Sequence, residues 1–269
     1  MKASRVIACL TTIVALLAGA LPSAGDATLD CLIYPEVVVA VSASVDGLLE
    51  KVHVDRGDLV RTGHVLATLE SSVEKASVEL ARARAELEAA LQSSQVRVDF
   101  GLRRFVRTED LYKKNLVPLR EMDEAETTKI LAEIGLVEAH ENRRMSQLDL
   151  ARARAALALR TIRSPVTGVV IERSLATGEF AKQAPIVRIA QIDPLRVEVI
   201  VPVSLLNKIT VGMRADVLPE VGGSHTARVT VVDRVVDAAS GTFGVRLALP
   251  NADYRLPAGL KCKVRFPTR

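Results

Sequence analysis

The side chains able to do chemistry in this 269-residue chain are few and scattered: four histidines, His53, His64, His140 and His225, and three cysteines, Cys9, Cys31 and Cys262. A metal centre draws its ligands from Cys, His and carboxylates at short, characteristic intervals. These histidines stand at unrelated spacings with no Cys or carboxylate at ligand distance, so they read as surface or packing residues and no metal site is predicted. No glycine-rich phosphate loop, nucleophile elbow or isolated carboxylate pair stands out, and the Asp and Glu of the helical region read as a solvated face. The expectation is a protein without enzymatic activity and without a cofactor.

The cysteines are read through the amino terminus. Met1 to Arg5 carries two cations, residues 6–21 are nearly all apolar, and Pro22-Ser23-Ala24-Gly25-Asp26-Ala27 is small and polar. That is the three-part pattern of an export signal, here residues 1–24 or a little longer, with cleavage after Ala24 or Ala27; an uncleaved membrane anchor is the alternative. Only five residues precede Val6-Ile7-Ala8-Cys9, too few for a lipidation signal. In an oxidising compartment Cys31 and Cys262 can form one intramolecular bridge, the competing reading being two buried thiols.

Composition excludes further classes. Aromatic residues make up 3% of the chain and Trp is absent, which argues against aromatic-rich binding. The formal charge is +4, falling to +2 once Lys2 and Arg5 leave with the signal, too little for a surface that neutralises many phosphates. With 49% apolar and 25% charged residues the chain is ordered, and no apolar run after residue 21 reaches membrane-span length, so it is neither disordered nor polytopic.

The elements follow from pattern. Residues 31–70 alternate short β-branched runs (37–41, 52–54, 65–69) with turns at Arg56-Gly57-Asp58 and Thr62-Gly63. From Ser72 glycine and proline vanish for nearly thirty residues while Ala, Leu, Glu and Arg dominate. Val73, Ala76, Leu80, Ala83, Leu87 and Leu91 recur at near-heptad spacing and predict a helical seam. Lys113-Lys114-Asn115 reads as a helix end, and Pro118, Glu121, Asp123 and Glu124 as the start of the next. The second arm runs to about Arg160 with Ile130, Ile134 and Val137, then Leu148, Ala151, Ala155 and Ala158, on its seam. Its polar stretch His140-Glu141-Asn142-Arg143-Arg144 predicts a stutter there. Each arm, of about forty residues, would extend roughly 60 Å, so residues 71–161 should project as an antiparallel hairpin. A proline at Leu87 is accordingly expected to cost about 3 kcal/mol.

Beyond Arg163-Ser164-Pro165 the first β pattern returns. Gly47 and Gly57 recur as Gly168 and Gly178, Leu49 as Val170, Asp58 as Glu179 and Leu66 as Val187, all 121 residues on. Residues 31–70 and 162–192 therefore read as two halves of one β domain. Residues 193–269 hold short alternating strands at 197–203, 214–218, 227–232, 245–249 and 262–266, separated by turns at 221–223, 240–241 and 257–259, and predict a small antiparallel barrel.

This arrangement resembles the periplasmic adaptor subunits, or membrane fusion proteins, of tripartite efflux pumps of the resistance-nodulation-division (RND) type. Val45-Asp46-Gly47 with the run from Val52 to Ala67 is similar to the first lipoyl-like half of that family, and Ile162-Arg163-Ser164-Pro165-Val166-Thr167-Gly168 to the second. Residues 236–243 and 256–260 resemble its barrel. The resemblance implies an α+β, mainly β fold: a lipoyl-like barrel-sandwich hybrid split by a long antiparallel helical hairpin and followed by a small β-barrel. It implies an inner-membrane transporter, an outer-membrane channel and a ring of copies as partners, and a periplasmic location. At the hairpin tip family members often carry an Arg, a Leu four residues later and a Ser seven beyond that. Arg107 and Leu111 fit this pattern and Pro118 departs from it. Members usually have a further domain built from both chain ends; a Cys31 to Cys262 bridge would tie the ends where it is missing.

Two other readings use the same residues. Lipoyl and biotinyl carrier domains share the half-repeats and hold a cofactor on a turn lysine, for which Lys75 is nearest, though within the helical pattern. An exported structural coiled coil would form a homodimer through the hairpin.

Overall fold

The computed structural model describes residues 28–267; the signal segment and Cys9 lie outside them. The described chain divides into a unit of residues 35–195 with 251–254 and a unit of residues 28–34, 196–250 and 255–267. The boundaries fall inside two long strands, β1 (Thr28–Ser42) and β8 (Pro185–Pro202). Residues 31–34, assigned above to the first lipoyl-like half, thus group with the barrel strands. Nothing in the alternation of β1 marks the division, because the strand is unbroken in sequence pattern.

The first unit is the barrel-sandwich hybrid. Its strands are β2 (Gly47–Val52), β3 (Leu59–Val60), β4 (Val65–Leu69), β5 (Thr161–Arg163), β6 (Gly168–Arg173), β7 (Phe180–Ala181) and the first part of β8. The 121-residue offset relates their pairings one to one. β3 meets β6 with Leu59 opposite Val169 and Val60 opposite Gly168. β7 meets β2 with Phe180 opposite Leu48 and Ala181 opposite Gly47. Gly57 N–H donates to Val170 O, and Gly178 N–H to Leu49 O, both at 2.8 Å. A β-bulge falls between Leu49 and Lys51 in one half and between Val170 and Glu172 in the other. Gly57 and Gly178 need their residue type, since their φ values of 95° and 88° lie in the left-handed region. Each half alone exposes an apolar face. Together they bury Leu49, Val60, Leu66 and Leu69 against Val170, Ile186, Val187 and Ile189.

Between β4 and β5 the chain leaves as α1 (Ser72–Ala85), α2 (Ala89–Lys113) and α3 (Leu119–Ala158). The interruption expected in the second arm is in the first: α3 is continuous over its 40 residues, and the break is at residues 86–88. The seam is also phased differently. Val73, Leu80 and Leu87 are 68%, 55% and 67% exposed, while Val78 and Ala85 are buried. One cause explains both corrections. Val78 and Ala85 share a face, but Gly101, buried on α2, would lie about 160° round a straight helix from Ala85 at 100° per residue. The break takes up that phase difference. Gly101 then lies close to α3, where a Cβ would stand 3.2 Å from Lys129 Cα. The polar stretch of α3 does meet the break: Arg143 Nη2 pairs with Glu88 Oε1 at 3.0 Å.

The second unit is a six-stranded barrel in the order β1, β12 (Lys261–Arg265), β9 (Arg214–Pro219), β10 (His225–Val232), β11 (Thr242–Leu249) and β8, closed by pairing of β1 with β8. Alternation supplies its core. Ile33, Val197, Val217, Val229, Leu247 and Val264 are fully buried while their strand neighbours face out. Cys31 stands opposite Cys262 in the β1–β12 ladder, with Cα atoms 4.8 Å apart and the sulfurs joined at 2.05 Å.

A candidate docking tip on the helical hairpin

The tip is built by its backbone. Leu116 N–H donates to Leu111 O and Asn115 N–H to Tyr112 O, both at 2.9 Å. This pair of bonds ends a helix only if the residue between takes a left-handed conformation. Asn115 does so at φ 57°. Pro118, at φ −71°, then precedes the first turn of α3, and its carbonyl accepts from Glu121 N–H at 3.0 Å. The reversal is five residues long and held by main-chain bonds, so its side chains are free to face a partner.

Arg107 and Leu111 lie one turn apart on α2, Arg107 exposed and Leu111 half-buried, and Pro118 is exposed across the reversal. Ion pairs at Lys113–Glu109 (2.9 Å), Lys114–Asp110 (3.2 Å) and Arg120–Glu124 (3.1 Å) neutralise the neighbouring cations. Each is solvent-exposed and contributes only a few tenths of a kcal/mol. Among the described residues Arg107 has no such ion-pair partner. Leu116 and Leu119, at the reversal and at the start of α3, are 66% and 57% exposed. Sequence reasoning passed over these two leucines; apolar residues flanking a turn signature, where no core is available, were the signal.

The base of the hairpin is fixed by residues the sequence did not single out. Arg160 pairs with Glu74 in a half-buried contact and donates through Nη1 to Asp46 O at 3.2 Å. Glu70 accepts from Ser72 N–H at 2.8 Å. Hydrogen bonds from the Ser72 side chain and backbone, helped by the charges of Arg160 and Lys75, hold the Glu70 carboxyl below the usual range. Lys75 is exposed in the first turn of α1, on a helix rather than a tight turn. In the barrel, the N–H of Ala239 and the hydroxyl of Ser240 lower the pKa of Asp237.

The histidines are dispersed. His225 Nε2 lies 2.8 Å from Gly222 O, and the other three are exposed. Among the described residues no three His, Cys, Asp or Glu side chains gather into a metal-binding group, and no helix is long and apolar enough to cross a membrane. An open groove of about 1020 Å³ in the barrel unit is lined by residues including Leu32, Tyr34, Ile200, Arg246 and the Cys31–Cys262 pair.

Residues 37–191 match the family described as CzcB-like, barrel-sandwich hybrid domain. The chain is 26% identical over 243 residues to the nickel and cobalt resistance protein CnrB of Cupriavidus metallidurans, covering 90% of this chain and 57% of that protein. It is 26% identical over 245 residues to the macrolide export protein MacA of Yersinia pestis, covering 84% and 63%. It thus spans little more than half the length of these relatives. The crystal structure of MacA from Actinobacillus actinomycetemcomitans shares its fold with a TM-score of 0.72 at 19% identity, over 90% of this chain and 78% of that one. More than half the chain matches the family, and the split sandwich and its hairpin give that match a structural form: the protein belongs to the CzcB-like barrel-sandwich hybrid family of membrane fusion, or adaptor, proteins of efflux systems.

Proposed function

We propose that the protein is a periplasmic adaptor that links an inner-membrane efflux transporter of the RND type to an outer-membrane channel, acting as several copies in a ring. The observation that supports this most is the hairpin: one unit carries a 40-residue α3 that begins at a main-chain-bonded reversal flanked by exposed leucines, with Arg107, free of ion pairs among the described residues, on the preceding helix. On this reading the tip meets the channel through Arg107, Leu111 and Pro118, and the β units meet the transporter. The role is mechanical: displacement of the β units reaches the channel mouth through the paired arms. The Cys31–Cys262 bridge forms after export and ties β1 to β12. The relatives named for metal resistance and for macrolide export leave the cargo to the partner transporter.

The test is photo-cross-linking in intact cells from an unnatural residue at position 107 or 111, with the attached proteins identified by mass spectrometry. An outer-membrane channel protein captured from the tip, and an inner-membrane transporter captured from a barrel position such as Ile200, are the expected results. Capture of neither from the expressed full chain would overturn the bridging role.

A further inference from the structure

One face of the barrel carries most of the chain's excess charge. Alternation turns the odd-numbered residues of β12 and the even-numbered residues of β9 and β10 outward, while Val217, Val229 and Val264 fill the core behind them. Those outward positions hold Lys261, Lys263, Arg265, Arg214 and Arg228 and one carboxylate, Asp216. Counting Asp30, which stands opposite Lys263 on β1, five cations meet two carboxylates, so this face holds +3 of a chain whose formal total is +4. The charges are not balanced locally. Arg214 stands directly opposite Arg228 in the β9–β10 ladder, a pairing that costs stability because the Cβ atoms of such a pair are only about 5 Å apart. Among the described residues neither arginine, nor Lys261, nor Lys263, has a side-chain hydrogen bond or ion pair. A repulsive pair left unrelieved by the fold marks a place where a ligand supplies the counter-charge. The spacing describes that ligand. Residues two apart on a strand are about 7 Å apart and neighbouring strands about 5 Å, so the five cations cover about 10 Å by 14 Å of exposed strand surface. That is too wide for one phosphate and suits an array of them.

We propose that the outer face of β12, β9 and β10 is a lipid-contact surface that sits on the anionic phosphates of a bilayer, with Arg214 and Arg228 holding headgroup phosphate between them. The occupant follows from the charge and from where the chain enters. Thr28 stands opposite Arg265, at the edge of the face. The apolar run at 6–21 ends seven residues earlier, so while that run is in a membrane the edge of the face is tethered within about 25 Å of it. Val211, in the turn leading into Arg214, is 66% exposed and adds an apolar tip. The proposal rests on the periplasmic location given above and uses nothing said there of the channel.

Flotation of the full chain with vesicles of phosphatidylethanolamine, with or without phosphatidylglycerol, tests it. The ratio of the two affinities cancels the contribution of the apolar run, which does not discriminate by charge. A preference for the phosphatidylglycerol vesicles that weakens with added salt is expected. Arg214→Gln and Arg228→Gln should each lower that preference about fivefold, since a cation near an anionic surface contributes about 1 kcal/mol. Arg152→Gln, which removes the same charge from α3, should leave it unchanged. Because Arg214 and Arg228 repel, neither Gln variant should melt below the parent, which separates lost binding from misfolding. Equal binding of the two vesicle types by the parent, or a parental preference in the folded Arg214→Gln and Arg228→Gln proteins, would overturn the proposal. If those variants instead lose transporter capture from Ile200 at unchanged vesicle preference, the face belongs to a protein partner and the proposal falls. Loss of the preference with both captures intact supports it. Loss of capture from positions 107 and 200 with the preference intact counts against the bridging role alone.

Discussion

The two halves of the sandwich are related by sequence offset, yet their equivalent glycines differ in what surrounds them, and that difference is measurable. A Cβ at Gly168 would lie 2.2 Å from Ala190 O, 2.8 Å from Ala190 C and 3.1 Å from Gln191 Cα, all backbone atoms of β8. A carbon and a carbonyl oxygen need about 3.2 Å, so Gly168→Ala must push β6 and β8 apart by roughly 1 Å. Ladder hydrogen bonds near 2.9 Å would then exceed the distance at which they hold. Overpacking of 1–3 kcal/mol together with one or two lost bonds of about 1 kcal/mol each gives a loss of about 3 kcal/mol or more. At Gly47 the nearest atom to an added Cβ is Arg160 Nη1 at 2.8 Å, the end of a flexible side chain. Gly47→Ala should cost about 1 kcal/mol, mostly by disturbing the contact of Arg160 with Glu74. In thermal unfolding followed by circular dichroism, 3 kcal/mol corresponds to a midpoint lowered by about 6–12 °C for a unit of this size, against about 2–4 °C for Gly47→Ala. Equal shifts for the two variants, or a Gly168→Ala loss below about 1 kcal/mol, would refute the argument that backbone contact sets the cost.

Three further outcomes are expected. Proline at Leu87 should cost well under the 3 kcal/mol of a helix interior, because Leu87 N–H donates only a 3.4 Å bond to Arg84 O at the break. Ala132→Pro, inside continuous α3, should cost about 3 kcal/mol or more; hydrogen exchange across α3 separates the two. Non-reducing mass spectrometry of periplasmic protein after thiol alkylation should find Cys31 and Cys262 unlabelled and linked, and labelling of both in folded material would reject the bridge. The lowered pKa of Glu70 means that its ionised form favours the folded state. Its contribution is fully present above the unfolded pKa and is lost as pH falls through the depressed folded value. Protection factors of amides in the first turn of α1, which divide out the intrinsic slowing of exchange in acid, should therefore fall on acidification, and Glu70→Gln should remove that dependence.

What was legible in the sequence was what local chemistry dictates. Left-handed turns need glycine or Asn, so Gly57, Gly178 and Asn115 mark turns wherever the fold goes. The 121-residue offset was readable because both halves solve one packing problem with the same residue types. The helical arms were readable from propensity, but their phase was not. Val73, Leu80 and Leu87 make a seven-residue series, and so do Val78 and Ala85; only the arrival of α3 decides which is buried. The break at residues 86–88 was hidden for a related reason: Glu86, Leu87, Glu88 and Ala89 are strong helix formers, and the interruption answers to Gly101, a dozen or more residues away. Strands β3 and β7, two residues each, are too short to show a period. At the tip, the turn chemistry was visible in Lys114, Asn115 and Pro118, whereas the exposure of Leu116 and Leu119 depends on there being no core at that end.

The insertion of the hairpin between β4 and β5 has a consequence for how the chain finds its fold. Thr68 pairs with Thr161, so the sandwich closes only after its two halves meet across an excursion of more than ninety residues. For a flexible loop of that length the length-dependent closure entropy alone is about 4 kcal/mol. A hairpin that nucleates at its own reversal and zips downward delivers both ends together, turning a distant encounter into a local one. Were the hairpin to form first it would act as a template for its base, and substitutions that loosen the tip would slow folding of β strands they never touch, which stopped-flow refolding of such variants reads directly.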